Sequence, residues 1–95
     1  MKTSLRDFDA ADYLDSEEQL SAYLSAAMAE PDEALFLAAL GAVARRRGMG
    51  LVARRSGLGR ESLYKALTPG SHPRYETIRQ VLAGMGMRLT VVPAS

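Results

Sequence analysis

Residues 50–67 read GLVARRSGLGRESLYKAL. Two short runs, each mixing apolar and basic side chains, meet at Gly57-Leu58-Gly59. The pattern suits two helices folded across one another. Helices that cross closely need a small residue at the crossing, and Ala53 stands there. The chain must turn sharply between them, which favours a residue tolerant of positive φ, and Gly57 supplies it. Leu58 plugs the corner, Val52 anchors the first helix, and Leu63 and Leu67 anchor the second. A buried helical hairpin would not set Arg54, Arg55, Arg60 and Lys65 among these positions, and a surface loop would not space the apolar ones in this way. The spacing Ala-x-x-x-Gly-Leu, with another leucine five residues on, is that of a helix-turn-helix. Gly59 is left as the N-cap of the second helix, where Ser, Thr or Asp would be stronger.

The chemistry of such a unit is recognition of DNA. The second helix turns Arg60, Glu61, Ser62, Tyr64 and Lys65 outward. Arg and Lys reach guanine O6 and N7, Glu accepts from cytosine N4, and Ser serves either. Two of these have simpler readings: Tyr64 packing on the loop around Pro69, and Glu61 pairing with Lys65 one turn on. Bases around the motif are candidates for phosphate contact. Arg54 and Arg55 lie on the first helix, and Ser71, His72 and Arg74 follow the second. Arg45, Arg46 and Arg47 end the helix that leads into the motif. A run of charge is usually a solvated face, and Arg79 and Arg88 are read as solvated or at a protein interface.

Outward from the motif, the pattern is helical. Asp15 or Ser16 caps a helix with the stripe Leu20, Tyr23, Leu24, Ala27 and Met28. Pro31 ends it, and Asp32 caps a second helix whose expected apolar face is Leu35, Phe36, Ala39, Leu40, Val43 and Ala44. Gly48 closes that helix behind three arginines, cations at the negative end of its dipole. The motif's helices are expected at 51–56 and 60–67, and a fifth at 74–83, with Tyr75, Ile78, Val81 and Leu82 inward and Gly84 and Gly86 breaking it. Residues 1–9 read as an arm. Residues 87–92 are β-branched and extended, a six-residue strand with no partner in the chain, so Arg88, Leu89, Thr90, Val91 and Val92 are expected to pair with another chain. The fold class is all-α: five helices and one short C-terminal strand.

At 95 residues the chain is one domain, 1–95. It has no cysteine, which removes disulfides and thiolate zinc sites and suits a reducing compartment. No apolar leader and no membrane-length apolar window is present, so the expectation is a cytoplasmic protein without membrane contact. The net charge of +1 hides a division: residues 1–33 hold nine acids against Lys2 and Arg6, a balance of −7, and residues 34–95 hold ten bases against Glu61 and Glu76, a balance of +8. Two surfaces with two partners follow from that, although acids also favour helix N-termini. An acidic first half suits a basic protein partner, with Tyr13, Leu14, Glu17 and Glu18 as candidate contacts. Catalysis is not expected: His72 is the single histidine, and Gly57-Leu58-Gly59 lacks the strand and the Lys-Ser/Thr of a phosphate loop. No cofactor, metal or small-molecule ligand is expected.

From about Phe8 to Pro93 the sequence resembles the addiction-module antidote proteins. The markers are Ala11-Asp12-Tyr13-Leu14, residues 42–48 followed by Met49, Gly57-Leu58, Leu63-Tyr64-Lys65-Ala66-Leu67, and the end at 82–89. The resemblance is to compact antitoxins with a lambda-repressor-like (Xre-type) helix-turn-helix, similar to the HigA class. It implies a type II toxin–antitoxin role: neutralising a small basic toxin of the RelE/ParE-like superfamily (HigB type) by binding it, and repressing the shared operon, with residues 60–67 reading operator DNA as a homodimer. That family commonly has Ser or Thr where Gly59 stands. The alternative is a stand-alone phage-type repressor without a toxin partner, and a third is an interaction module whose motif only scaffolds protein contacts.

Overall fold

A computed structural model describes residues 16–94. The arm at 1–9 and the candidate contacts Tyr13 and Leu14 lie outside the described residues. Five helices follow in order: α1 (Glu17–Met28), α2 (Glu33–Arg47), α3 (Met49–Ser56), α4 (Arg60–Ala66) and α5 (Tyr75–Gly84). Each boundary has a local cause. Ser16 begins α1 with a capping box: its Oγ accepts from Gln19 N–H at 3.0 Å, and Gln19 Oε1 accepts from Ser16 N–H at 3.3 Å. Asp32 caps α2 by accepting from Ala34 N–H at 3.0 Å. Gly48, at φ 102°, separates α2 from α3 with a single residue.

α1 and α2 pack as an antiparallel pair, α2 meets α3, and α5 closes the domain against α3 in one of the two most extensive helix–helix interfaces. The centre is Leu40, Val43, Val52, Leu63, Val81 and Met85, all essentially inaccessible. The buried face of α2 differs from expectation. Leu37 is buried and Leu35 is 48% exposed, while Phe36 is half-buried. α2 is covered by α1 and by α3 on different sides, so its buried surface is wider than one stripe and turned towards Leu37, Leu40, Gly41 and Ala44. On α5, Ile78, Val81 and Leu82 are inward as expected, but Tyr75 is 68% exposed.

The end of α5 corrects two expectations. Gly84 does not break the helix; it is its last residue. A Cβ built there would stand 2.9 Å from Ser56 N and 3.1 Å from Ser56 Cα, so Gly84 is where α5 touches the backbone of α3. Gly86, at φ 78°, makes the turn. Met87 N–H donates to Leu82 C=O at 2.8 Å and Gly86 N–H to Ala83 C=O at 3.0 Å, the paired bonds of a Schellman motif. That motif folds Met87 back onto the core, with Leu89 after it.

Residues 87–92 therefore form no strand. No strand occurs among the described residues, and no backbone–backbone hydrogen bond among them involves 88–92. The alternation that suggested a strand is real: Met87 and Leu89 are half-buried, and Arg88 and Thr90 are exposed. What the alternation serves is packing of Met87 and Leu89 against the helical core, beside a groove that they line together with Leu24, Phe36 and Leu82, and not a ladder with a neighbouring strand. Beyond Leu89 the contact ends, and Val91 and Val92 are 96% and 72% exposed.

Candidate nucleic-acid interface

The segment 50–67 folds as α3, a turn at 57–59 and α4. Gly57 takes φ 79°, the left-handed conformation that its position required. Gly57 N–H and Leu58 N–H both donate to Ala53 C=O, at 3.1 and 3.2 Å. Ser56, which the sequence reading passed over, ties the corner from inside. Its buried Oγ donates to Ala53 C=O at 3.1 Å and accepts from Leu58 N–H at 3.3 Å. Val52 and Ala53 are buried against the core, and Leu58 is half-buried at the corner. Gly59 begins α4 in an extended conformation without a side-chain cap.

α4 is seven residues long and held by Leu63, Ala66 and Leu67, all buried. That anchoring leaves Arg60, Glu61, Ser62, Tyr64 and Lys65 exposed together on the outer side. The Arg60 guanidinium sits over the Tyr64 ring, 5.9 Å from its centroid, so the two side chains orient each other. Glu61 and Lys65 make no ion pair with each other among the described residues. The Tyr64 carbonyl accepts from Thr68 Oγ1 at 2.9 Å, which shapes the chain leaving the helix.

Between α4 and the start of α5 runs an open cleft of about 540 Å³. Ser62 and Lys65 of α4 line it opposite Ser71 and Arg74, so expected base readers and expected phosphate contacts share one wall-to-wall space. Ser71 is fixed there by donating from Oγ to Ala66 C=O at 3.0 Å. Thr77, on the first turn of α5, also lines the cleft. Sequence reading missed it because a threonine inside a helix carries no signal of its own until the neighbouring loop is placed.

Other expected contacts are distributed differently. Arg54 and Arg55 are exposed on α3. Arg45 is exposed and its guanidinium folds back over Gly41, and Arg46 is exposed beside it. Arg47 is engaged by the start of α1: its Nη2 donates to Glu17 Oε1 and Oε2 at 2.9 and 2.8 Å. This pair joins the N-terminus of α1 to the C-terminus of α2, and it engages an expected phosphate contact with an expected protein contact. Glu18 remains exposed. His72 also leaves the cleft: its φ is 52°, and Nδ1 lies 3.4 Å from Glu33 Oε1 on the α2 side of the loop.

The arrangement gathers hydrogen-bonding and basic groups of the kind that read base edges on one short helix, with further polar groups from the following loop. Comparison with known proteins then places the chain. A family model described as "Probable addiction module antidote protein" matches residues 4–93. The chain belongs to the addiction module antidote family. An uncharacterized protein of Haemophilus influenzae is 40% identical over 91 residues, spanning 96% of this chain and 94% of the relative. No solved structure matches the chain significantly. An antidote has a cognate toxin as its partner, so this antidote needs a surface for a protein. No described helix of the antidote is long and apolar enough to cross a membrane.

Proposed function

We propose that this antidote is the antitoxin of a type II toxin–antitoxin pair: it neutralises a RelE/ParE-like (HigB-type) toxin by binding it, and it represses their operon through α4. The reading rests first on the family and then on one observation, the outward face of α4. Arg60, Glu61, Ser62, Tyr64 and Lys65 are exposed together while Leu63 and Ala66 of that helix are buried. A polar outer face is common to surface helices. What supports the reading is that this one carries Arg, Lys, Glu and Ser, the side chains that pair with base edges, on the helix that follows the Gly57 turn. In this reading α3 and α4 act as a lambda-repressor-like helix-turn-helix. α4 enters the major groove, α3 with Arg54 and Arg55 crosses the backbone, and Ser71 and Arg74 meet phosphates beside it.

A single seven-residue helix touches few base pairs, so the antidote would act as a dimer on a two-fold operator with half-sites about 34–36 Å apart. The test has two arms. A gel shift on the DNA upstream of the gene should give a complex that survives excess random DNA. Co-expression with the protein encoded by the adjacent reading frame should restore growth and yield a complex on pull-down. Growth rescue without operator binding would remove the repressor half of the proposal, and operator binding without rescue would leave a stand-alone repressor.

A further inference from the structure

Two apolar side chains that helical periodicity directs at the core are left in the open, and they meet in one place. Met28 belongs to the α1 stripe with Leu20 and Leu24, yet it is 43% exposed. Tyr75 precedes Leu82 by seven residues on α5, which puts the two within about 20° of each other around the helix. Leu82 is buried and Tyr75 is 68% exposed. Met28 and Tyr75 line an open cleft of about 470 Å³ whose floor is Phe36, Leu37 and Ile78. A second groove starts at Met28 and Phe36 and continues to Leu89. The apolar strip therefore runs from the start of α5, across the end of α1, to the half-buried Leu89.

At the cleft itself the rim is acidic, while Arg88 lines the second groove and the Arg79 guanidinium sits over the Tyr75 ring, 6.0 Å from its centroid. Glu30 and Glu33 line the cleft, and Asp32 lines the adjoining hollow. Among the residues lining the cleft, His72 is the only one able to carry positive charge, and it stands beside Glu33. An acidic rim repels nucleic acid. A second copy docked about a two-fold axis would set Glu30 and Glu33 against their own mates only where the axis passes through the cleft, so self-association is left as an outcome of the test. What the surface fits is a protein segment with two or three apolar side chains flanked by Lys or Arg.

We infer that this cleft is the toxin-docking surface of the antidote, and that it takes a basic, partly apolar segment of the toxin. The inference rests on the antitoxin reading. It moves the contact away from the start of α1, where Glu17 is already held by Arg47, to the corner between α1 and α2. The floor supplies the contacts that resist dissociation, and the rim accelerates encounter. The loop 71–74 separates this surface from the α4 cleft: His72 lines the one, Ser71 and Arg74 the other, and Pro73 both.

The experiment uses the full chain and the protein encoded by the adjacent reading frame, with association and dissociation followed by surface-based kinetics. Met28→Ala combined with Tyr75→Ala removes one largely exposed and one partly exposed side chain, and circular dichroism checks that helicity and Tm are kept. The double variant should bind about 30-fold more weakly, through faster dissociation, and should shift operator DNA as the wild type does. Glu30→Lys with Glu33→Lys should slow association several-fold at low salt and little at high salt. A photoreactive side chain at position 75 should cross-link to the toxin. Binding by the Met28/Tyr75 variant within threefold of the wild type overturns the inference. So does a variant that turns a dimer into a monomer with toxin affinity unchanged, which would make the cleft a self-association surface. A wild-type chain that neither binds nor rescues is a different result and sinks the antitoxin reading itself.

Discussion

Gly84→Ala sets two effects of opposite sign against each other. Replacing a helical glycine by alanine ordinarily stabilises by about 0.5–1 kcal/mol, because the unfolded chain loses freedom. At Gly84 the added Cβ would meet Ser56 N at 2.9 Å, Ser56 Cβ at 3.0 Å and Ser56 Cα at 3.1 Å. Two of these are backbone atoms on α3, so no rotamer change relieves the clash. Contacts between carbon and its neighbours are comfortable near about 3.5–4.0 Å, so α5 must retreat from α3 by roughly half an ångström at its tightest crossing. Forced overpacking of that kind costs about 1–3 kcal/mol. The steric effect outweighs the gain, and the net loss is up to about 2.5 kcal/mol, or as much as roughly 10–20 °C in Tm for a domain of this size. Gly50 provides the comparison. It is helical in α3, and a Cβ there would meet only Arg54 Nη1 at an ordinary 3.8 Å. Gly50→Ala should raise Tm while Gly84→Ala lowers it, both read from thermal melts by circular dichroism. If Gly84→Ala is as stable as the wild type, the tight α3–α5 crossing does not hold α3 and α4 in place.

Gly59→Ser should stabilise α4 by about 0.5–1 kcal/mol, since φ −70° suits serine, nothing stands within 4 Å of its Cβ, and the hydroxyl can cap the helix; an unchanged or lower Tm would contradict this. Arg60→Ala and Lys65→Ala should each remove about 1–3 kcal/mol of discrimination between operator and random DNA. Arg54→Ala or Arg55→Ala should weaken all DNA alike and flatten the log–log salt slope by about 0.9 per lost phosphate contact, and identical behaviour of the two pairs in competition assays would undo the distinction. Thr90→Pro should change stability by less than about 0.5 kcal/mol, because no backbone–backbone bond involves Thr90 among the described residues; a large loss in a urea titration would bring back a paired strand.

The α3–turn–α4 unit was legible because each of its demands falls on a distinct residue type: a small Ala53 at the crossing, Gly57 at φ 79°, and leucines at 63 and 67 for anchoring. Caps were legible for the same reason at Ser16 and Asp32. What failed depended on which neighbour covers which face. Tyr75 and Met28 obey the helical period but lie beyond the reach of the adjoining helices, and no periodicity reports how far a neighbour extends. The tail failed differently. Alternating burial is common to a strand and to an extended segment lying on helices, and only the Gly86 turn distinguishes them. Gly84 and Gly86 look alike in the sequence, yet one permits a close approach and the other a positive φ. The three arginines at 45–47 could not be separated by sequence, because facing Glu17 is a property of Arg47's position at the end of α2.

His72 tests whether the loop between the two faces works through its side chain or through its backbone. It is the described non-glycine residue at positive φ, 52°, a conformation that costs a branched or ring-bearing residue about 1 kcal/mol or more. Its exposed pairing with Glu33 returns little, since both side chains are about four-fifths exposed and solvent screens the contact. The loop is meanwhile fixed at both ends without it: Ser71 N–H donates to Thr68 C=O at 3.1 Å, Ser71 Oγ to Ala66 C=O at 3.0 Å, and Ile78 N–H to Arg74 C=O at 3.1 Å. Replacing His72→Gly removes the strain and keeps those ties. It also gives the unfolded chain more freedom, which opposes the gain. Stability should therefore stay within about 1 kcal/mol of the wild type. If Ser71 and Arg74 alone carry the loop's contact with DNA, operator affinity should also stay within threefold and its salt slope should not move. A tenfold loss with a slope flattened by about 0.9 would instead assign His72 a phosphate contact, and the side chain would have to swing from Glu33 across the loop to make it.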